Sequence, residues 1–142
     1  MNKPSLKSSI FKAAKGLWQS LPMIIGTILL ISLISATIPK STYTSIFKSD
    51  PVLDPFIGSV IGSISAGNPI TSYIFGGEML EKGVSLLAVT AFLVAWVTVG
   101  IVQLPAESTI LGKKFAIIRN ITAFILSIIV AIITILILEM IK

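Results

Sequence analysis

The sequence predicts an all-α fold: a polytopic integral membrane protein with three full transmembrane helices and one re-entrant or broken helical hairpin. The first observation is composition, because 54% of the 142 residues are hydrophobic and only 12% are charged, whereas a soluble domain is roughly 25% charged. A chain this short has too much surface for its volume to bury so many apolar side chains by itself. The second observation is a set of apolar runs of about 20 residues, the length that crosses a bilayer. We therefore expect one compact membrane domain over residues 1–142.

Residue types that are missing from the sequence exclude most enzyme chemistry. The chain has no cysteine and no histidine, which removes disulfides, thiolate and imidazole metal ligands, cysteine nucleophiles and histidine-based triads. We accordingly predict no enzyme activity, no metal site and no cofactor. The formal net charge of +5 comes from basic residues at the ends of apolar runs. It therefore predicts orientation in a lipid bilayer and not binding of nucleic acid.

The N-terminal part is predicted to be an interfacial segment followed by a transmembrane helix. Residues 1–16 carry four lysines among apolar side chains, a pattern typical of an amphipathic segment that lies against lipid head groups. Residues 17–38 carry no charge and exceed the roughly 7–15 apolar residues of a signal peptide, so we predict that they span the membrane. Residues 39–55 are polar and rich in turn residues. They are predicted to form an interfacial loop, with a short helix around Tyr43 and Phe47.

Residues 56–82 are predicted to be two short apolar pieces separated by a break at Asn68-Pro69. The first piece carries Gly58 and Gly62 in GxxxG spacing, and each piece covers only about half a bilayer. Two interpretations compete. The segment is either one broken helix that crosses the membrane or two half-helices that fold back as a re-entrant hairpin. Non-helical backbone at membrane depth must be covered by protein or water in both cases.

Two further spans, residues 84–104 and 115–141, are predicted on either side of a loop at 105–114. Charge placement favours the hairpin at 56–82. With the N-terminus inside, the hairpin puts seven of the eleven basic residues on the cytoplasmic side, and a broken crossing helix puts six there. We therefore expect a multi-pass protein of the cell membrane with a cytoplasmic N-terminus. The seven residues are Lys3, Lys7, Lys12, Lys15, Lys113, Lys114 and Arg119.

The break supplies most of the candidate functional residues. In lipid, an interrupted helix frees backbone groups that must find partners, and transporters use such half-helix ends to bind ions or polar solutes near the midplane. Side chains of the break and of the span at 84–104 add donors and acceptors. The predicted substrate-binding residues are Asn68, Pro69, Thr71, Ser72, Tyr73, Thr98 and Gln103. The glycines predicted at the break or at close helix contacts are Gly58, Gly62, Gly67, Gly76 and Gly77.

A purely structural interpretation of these residues stands beside the functional one. The small residues of the break would then serve only tight helix packing, and a threonine in a membrane helix commonly bonds its own carbonyl four residues earlier. Gln103 lies near the end of a predicted helix, so its side chain is expected either at the membrane interface or in a water-filled cavity. Glu78 and Glu107 flank the apolar runs, and Arg119 is predicted to reach the interface.

The run from residue 57 to residue 131 resembles one half of the predicted permease family DUF318, which includes organoarsenical efflux permeases. The matching features are, in chain order, the Gly-rich helix and break from Gly62 to Ser72, Leu80-Glu81-Lys82-Gly83, Ala91-Phe92-Leu93-Val94, and the segment from Leu111 to Arg119. The resemblance implies permease activity. It also implies that this chain pairs with itself or with a partner, since family members are about twice as long and contain two homologous halves; we expect a homodimer. The break lacks the cysteine that is frequent in the family, so a thiolate site for soft metals is not expected.

The sequence thus predicts a half-transporter that dimerises to move a small polar or ionic solute across the membrane. The alternative is a non-transporting accessory or scaffold subunit that lends helices to another membrane protein.

Overall fold

The computed structural model describes residues 6–65 and 67–141, and over these residues the chain forms seven α-helices and no strand. The predicted all-α class is therefore confirmed. The first five residues of the predicted amphipathic segment, and Lys142, lie outside the described residues. The helices are α1 Leu6–Thr37, α2 Lys40–Ile46, α3 Leu53–Ile64, α4 Pro69–Glu81, α5 Leu86–Thr98, α6 Leu104–Leu111 and α7 Lys113–Ile141.

Two of these helices, α1 and α7, are long and apolar enough to cross a membrane. Only 6% of the apolar window of α1 and 11% of that of α7 are buried inside the protein, so neither is the covered core helix of a soluble domain. The accessible surface of 9728 Å² also exceeds the about 7,100 Å² typical of a compact soluble protein of 15.1 kDa. These observations support a membrane location, in which lipid covers the exposed leucines and isoleucines.

The third predicted span, residues 84–104, is wrong as one continuous helix. Helix α5 has only 13 residues, about 20 Å of helix, and it ends at Thr98. The chain then becomes extended at Val99, and the backbone N–H of Gly100 donates to the side chain of Asn120 instead of a carbonyl of its own helix. Helix α6 begins at Leu104 with a proline in its first turn and occupies most of the stretch predicted to be a loop at 105–114.

The predicted interfacial loop at 39–55 contains α2, whose Tyr43 is buried, as is the neighbouring Phe47. These two rings form a core cluster with Met79, Val84 and Phe92, among other residues. The loop closes with α3, which begins at Leu53, three residues earlier than predicted. Through the contacts of Tyr43 and Phe47, the short helix α2 packs over the junction between the end of α4 and the start of α5.

Helices α3 and α5 run side by side in the same direction at very close range. A Cβ placed on Gly58 would lie 2.3 Å from the carbonyl oxygen of Ala88, and one placed on Gly62 would lie 2.4 Å from that of Phe92. Both contact positions advance together along the two helices, so α3 and α5 are parallel. Only glycine permits this approach, which is the packing that GxxxG spacing provides in membrane proteins.

Helix α4 runs back along α5 in the opposite direction. Gly67, before its start, lies beside Trp96 near the end of α5, whereas Gly76 lies beside Val89 near the beginning. Since α3 is parallel to α5 and α4 is antiparallel to it, α3 and α4 form a helical hairpin, and Ser65, Gly67 and Asn68 lie at its tip. Helix α1 lies along the outer side of α4, where the hydroxyls of Thr27 and Thr71 are 3.3 Å apart.

Candidate functional site

The break between α3 and α4 lies next to the break between α5 and α6. The indole Nε1 of Trp96 donates to the carbonyl oxygen of Gly67 at 3.5 Å and joins the two interruptions. Between them is a cavity of about 60 Å³, lined by Ser65 and Gly67 on one side, by the chain from Trp96 to Gln103 on another, and by Arg119. We call it the twin-break pocket. Its volume corresponds to about two water molecules.

Local sequence explains why the first break forms. Asn68 is extended, with φ −71° and ψ 141°, and its side-chain oxygen accepts the N–H of Ile70 at 2.9 Å, which makes it the N-cap of α4. Pro69 follows at the first helical position, where a missing N–H costs nothing. On the other side, Ser65 is extended and ends α3. The chain therefore leaves one helix and starts another within four residues.

The second break is built differently, because its stabilising partner comes from another helix. Asn120 of α7 is buried, and its Oδ1 accepts the N–H of Gly100 at 2.8 Å. Its Nδ2 donates to the carbonyl of Ala116 at 2.9 Å and to the Oε2 of Glu107 at 3.2 Å. Gln103 occupies the N-cap of α6 without a side-chain cap bond. The amide of Asn120 therefore satisfies the backbone where α5 is interrupted.

The electrostatics of the twin-break pocket depend mainly on Arg119. Helices α3 and α5 end at the pocket with their partly negative carbonyl ends, and α4 and α6 begin there with their partly positive ends, so these dipoles largely oppose one another. Among the described lining residues, Arg119 alone carries a charge. Its guanidinium pairs with the carboxylate of Glu107 through Nη1 and reaches the carbonyl of Thr98 with Nη2 at 3.5 Å.

A carboxylate lies at the opposite ends of α3 and α5. Asp54 is only 1% exposed and lies in the first turn of α3. Its Oδ1 accepts the N–H of Lys48 at 3.1 Å, and its Oδ2 accepts from the hydroxyl of Ser85, the N-cap of α5, at 3.4 Å. The two parallel helices thus have an anion at their N-terminal ends and a guanidinium at their C-terminal ends, which is the arrangement that their dipoles favour.

The structure brings only some of the predicted substrate-binding residues to this pocket. Gln103 and Thr98 line it, and the hydroxyl of Thr98 donates to the carbonyl of Val94 at 2.7 Å. Asn68 instead caps α4 and faces α1, where its amide nitrogen is 3.7 Å from the Sδ of Met23.

The remaining predicted substrate-binding residues point elsewhere. Thr71 faces Thr27 of α1. Ser72 is buried and bonds the carbonyl of Pro69 at 2.7 Å. Tyr73 is largely exposed on the outside of α4.

The predicted glycines also divide into separate groups. Gly58 and Gly62 make the α3–α5 contact, Gly67 lies at the pocket, Gly76 packs against α5, and Gly77 faces open space.

Sequence reasoning missed the group made by Glu107, Arg119 and Asn120. The three residues meet because α6 folds back on α7 about Gly112, which has a positive φ of 88°. Glu107 and Arg119 lie at similar distances on either side of this turn. An acid five residues before a glycine and a base seven residues after it, with helical segments on both sides, are therefore the signal in the sequence that could have found the pair.

A second polar group lies at the far end of the hairpin. Glu78 accepts a hydrogen bond from Ser35 of α1 and pairs with Lys82 at 3.5 Å, so it is part-buried rather than a freely solvated flanking acid. The hydroxyl of Tyr43 is buried without a hydrogen-bond partner among the described residues. Burial raises the pKa of Tyr43, and the charge of Glu78 raises it further.

In a chain without Cys or His, Asp and Glu are the side chains to consider as metal ligands. Within residues 6–65 and 67–141, no three of these carboxylates lie close enough together to hold a metal ion. Comparison of the chain with protein-family models, with curated proteins and with solved structures finds no match. The resemblance to the permease family therefore stays a prediction.

Proposed function

We propose that the chain is one half of a permease of the cell membrane, which dimerises to move a small polar or ionic solute. The observation that carries this proposal is the meeting of two helix interruptions around the twin-break pocket, with Gly67 on one side and Thr98 to Gln103 on the other. Exposed backbone at membrane depth is stable only where protein or water covers it. Many secondary transporters bind their solutes at paired discontinuous helices.

The proposed topology places the N-terminus in the cytoplasm. Helix α1 then crosses outwards, and the hairpin of α3 and α4 enters from the outer side and returns to it as a re-entrant hairpin. Helices α5 and α6 together contain 13 and 8 residues, or about 32 Å of helix. This length is sufficient to cross the roughly 30 Å hydrocarbon layer as one broken helix. Helix α7 crosses outwards again, and the chain has three crossings in total.

A homodimer is proposed because one copy forms a pocket of about 60 Å³ but leaves most apolar residues of α1 and α7 outside the protein core. A second copy placed against one of these faces would add walls to the pathway, in the way that two homologous halves do in transporters built from repeats. Cross-linking in membranes and the mass of the detergent-solubilised particle test this part of the proposal directly.

Transport is tested with the purified protein in liposomes, using labelled urea, methylammonium and nitrate as neutral, cationic and anionic probes. The test variant is Gly100→Leu, which adds bulk at the pocket wall, where the nearest obstacle is the flexible end of Gln103. The matched control is Gly77→Leu, where a side chain meets open space.

We expect at least one probe to enter faster than into protein-free liposomes. Gly100→Leu should abolish this uptake, and Gly77→Leu should retain it. If none of the three probes enters faster with the unaltered protein than without protein, the permease proposal is wrong and the accessory-subunit alternative takes its place.

A further inference from the structure

The geometry points to a small planar oxyanion, such as a carboxylate, as the ligand of the twin-break pocket, held by Arg119 in competition with Glu107. This inference names the class of solute that the proposed permease would carry. It rests on the proposed function only because both concern the twin-break pocket. Its starting point is the carboxylate already on the guanidinium: Glu107 binds Arg119 and shows that this chemical group fits there.

The guanidinium has hydrogen-bonding capacity beyond the contacts that it makes. Arginine has five N–H donors in a planar fork. Within the described residues Arg119 uses two nitrogens, Nη1 for Glu107 and Nη2 for a long contact of 3.5 Å to the carbonyl of Thr98. Its side chain remains 37% exposed, and it lines the pocket. The fork can therefore present donors to a planar anion, the geometry that arginine recognises best.

Glu107 has a second partner that allows the exchange. Its Oε2 accepts from Nδ2 of Asn120 at 3.2 Å, so the carboxylate keeps a hydrogen bond when Arg119 turns towards a ligand. Asn120 itself stays fixed by Gly100 and Ala116. An incoming oxyanion thus replaces one carboxylate by another on Arg119, and the displaced Glu107 keeps the amide of Asn120 as its hydrogen-bond donor.

Size and surrounding charge agree with this ligand class. A volume of about 60 Å³ holds roughly two waters, so it suits an anion of three or four heavy atoms. Lys113 and Lys114 lie in the first turn of α7, six and five residues before Arg119, and Glu107 is the acid of α6. The resulting positive excess raises the local concentration of anions.

Binding is measured apart from transport, by following the thermal unfolding of the detergent-solubilised dimer or monomer as sodium formate replaces sodium chloride at constant ionic strength. A ligand that binds the folded state raises the melting temperature in a saturable way. We expect this for the unaltered protein and for Gly77→Leu. Arg119→Gln should weaken formate binding by about tenfold to a hundredfold, the usual effect of losing a hydrogen bond between charged groups.

Glu107→Gln provides the second test, since it leaves Arg119 in place and removes the competing carboxylate. Formate should bind this variant about tenfold more tightly than the unaltered protein. The inference is overturned if Arg119→Gln and the unaltered protein respond equally to formate, or if folded Glu107→Gln gains no affinity. Uptake of urea or methylammonium without formate binding would refute the oxyanion and leave the permease standing. Formate binding without uptake of any probe would refute the permease and leave the oxyanion site standing.

Discussion

The close contact between α3 and α5 makes Gly62, like Gly58, highly sensitive to a small substitution. In Gly62→Ala the added methyl would lie 2.4 Å from the carbonyl oxygen of Phe92 and 3.0 Å from the backbone nitrogen of Trp96, whereas ordinary contact begins at 3.4 Å. Both obstacles are backbone, so the two helices must separate by about 1 Å. A gap of that size forfeits a quarter to a half of the dispersion energy along the contact.

The free-energy change follows from two opposing terms. Overpacking of this kind costs about 1–3 kcal/mol, and alanine returns up to about 1 kcal/mol because glycine is a poor helix former. Gly77→Ala is the matched control, since its methyl meets nothing within 4 Å and only the favourable term applies. We therefore expect Gly62→Ala to be less stable than Gly77→Ala by about 2 kcal/mol.

Reversible unfolding in mixed detergent and denaturing-surfactant micelles, followed by circular dichroism, measures this difference. Tryptophan fluorescence adds a local readout, because Trp96 lies at the same contact. Equal midpoints for the two alanine variants would refute the reasoning. They would mean that α3 and α5 are not packed backbone to backbone, and with that the twin-break pocket would lose its fixed walls.

Two further predictions concern buried polar groups. Asp54→Ala should lower the free energy of unfolding by about 2 kcal/mol, measured in the same assay, because the N–H of Lys48 and the hydroxyl of Ser85 lose their acceptor; no loss would contradict a role for this carboxylate at the paired helix ends. Tyr43→Phe should instead raise stability by about 1 kcal/mol, because it removes a buried hydroxyl that has no partner among the described residues. The pKa of Tyr43 is higher in the folded protein than in the unfolded chain, where it is about 10. The free energy of unfolding should therefore be unaffected below pH ~10 and should fall as the pH rises from there through the folded pKa. In Tyr43→Phe this alkaline loss of stability should be smaller, and a pH profile identical to that of the unaltered protein would contradict the prediction.

The position of the first break could be predicted from Asn68-Pro69, because both residues act locally. An asparagine that caps and a proline without an N–H favour a helix start through their own neighbouring residues, and α4 indeed begins at Pro69. The second break could not be predicted in the same way. Nothing between Leu86 and Leu104 stops a helix strongly, and the stretch is more apolar than the first break. Its interruption depends on Asn120, a residue of another helix.

The sequence by itself determined the all-α class, the two long apolar helices and the first interruption, because hydropathy, helix propensity and capping act over a few neighbouring residues. Only the tertiary structure decided that α5 stops at Thr98, that the two breaks meet at Gly67 and Trp96, and that Arg119 lines the pocket between them. The physical reason is the distance along the chain over which each interaction acts. A backbone group released from one helix takes its partner from whichever helix packs beside it, and that neighbour is fixed by the close approach of the glycines of α3 to α5 and by the fold of α6 back onto α7.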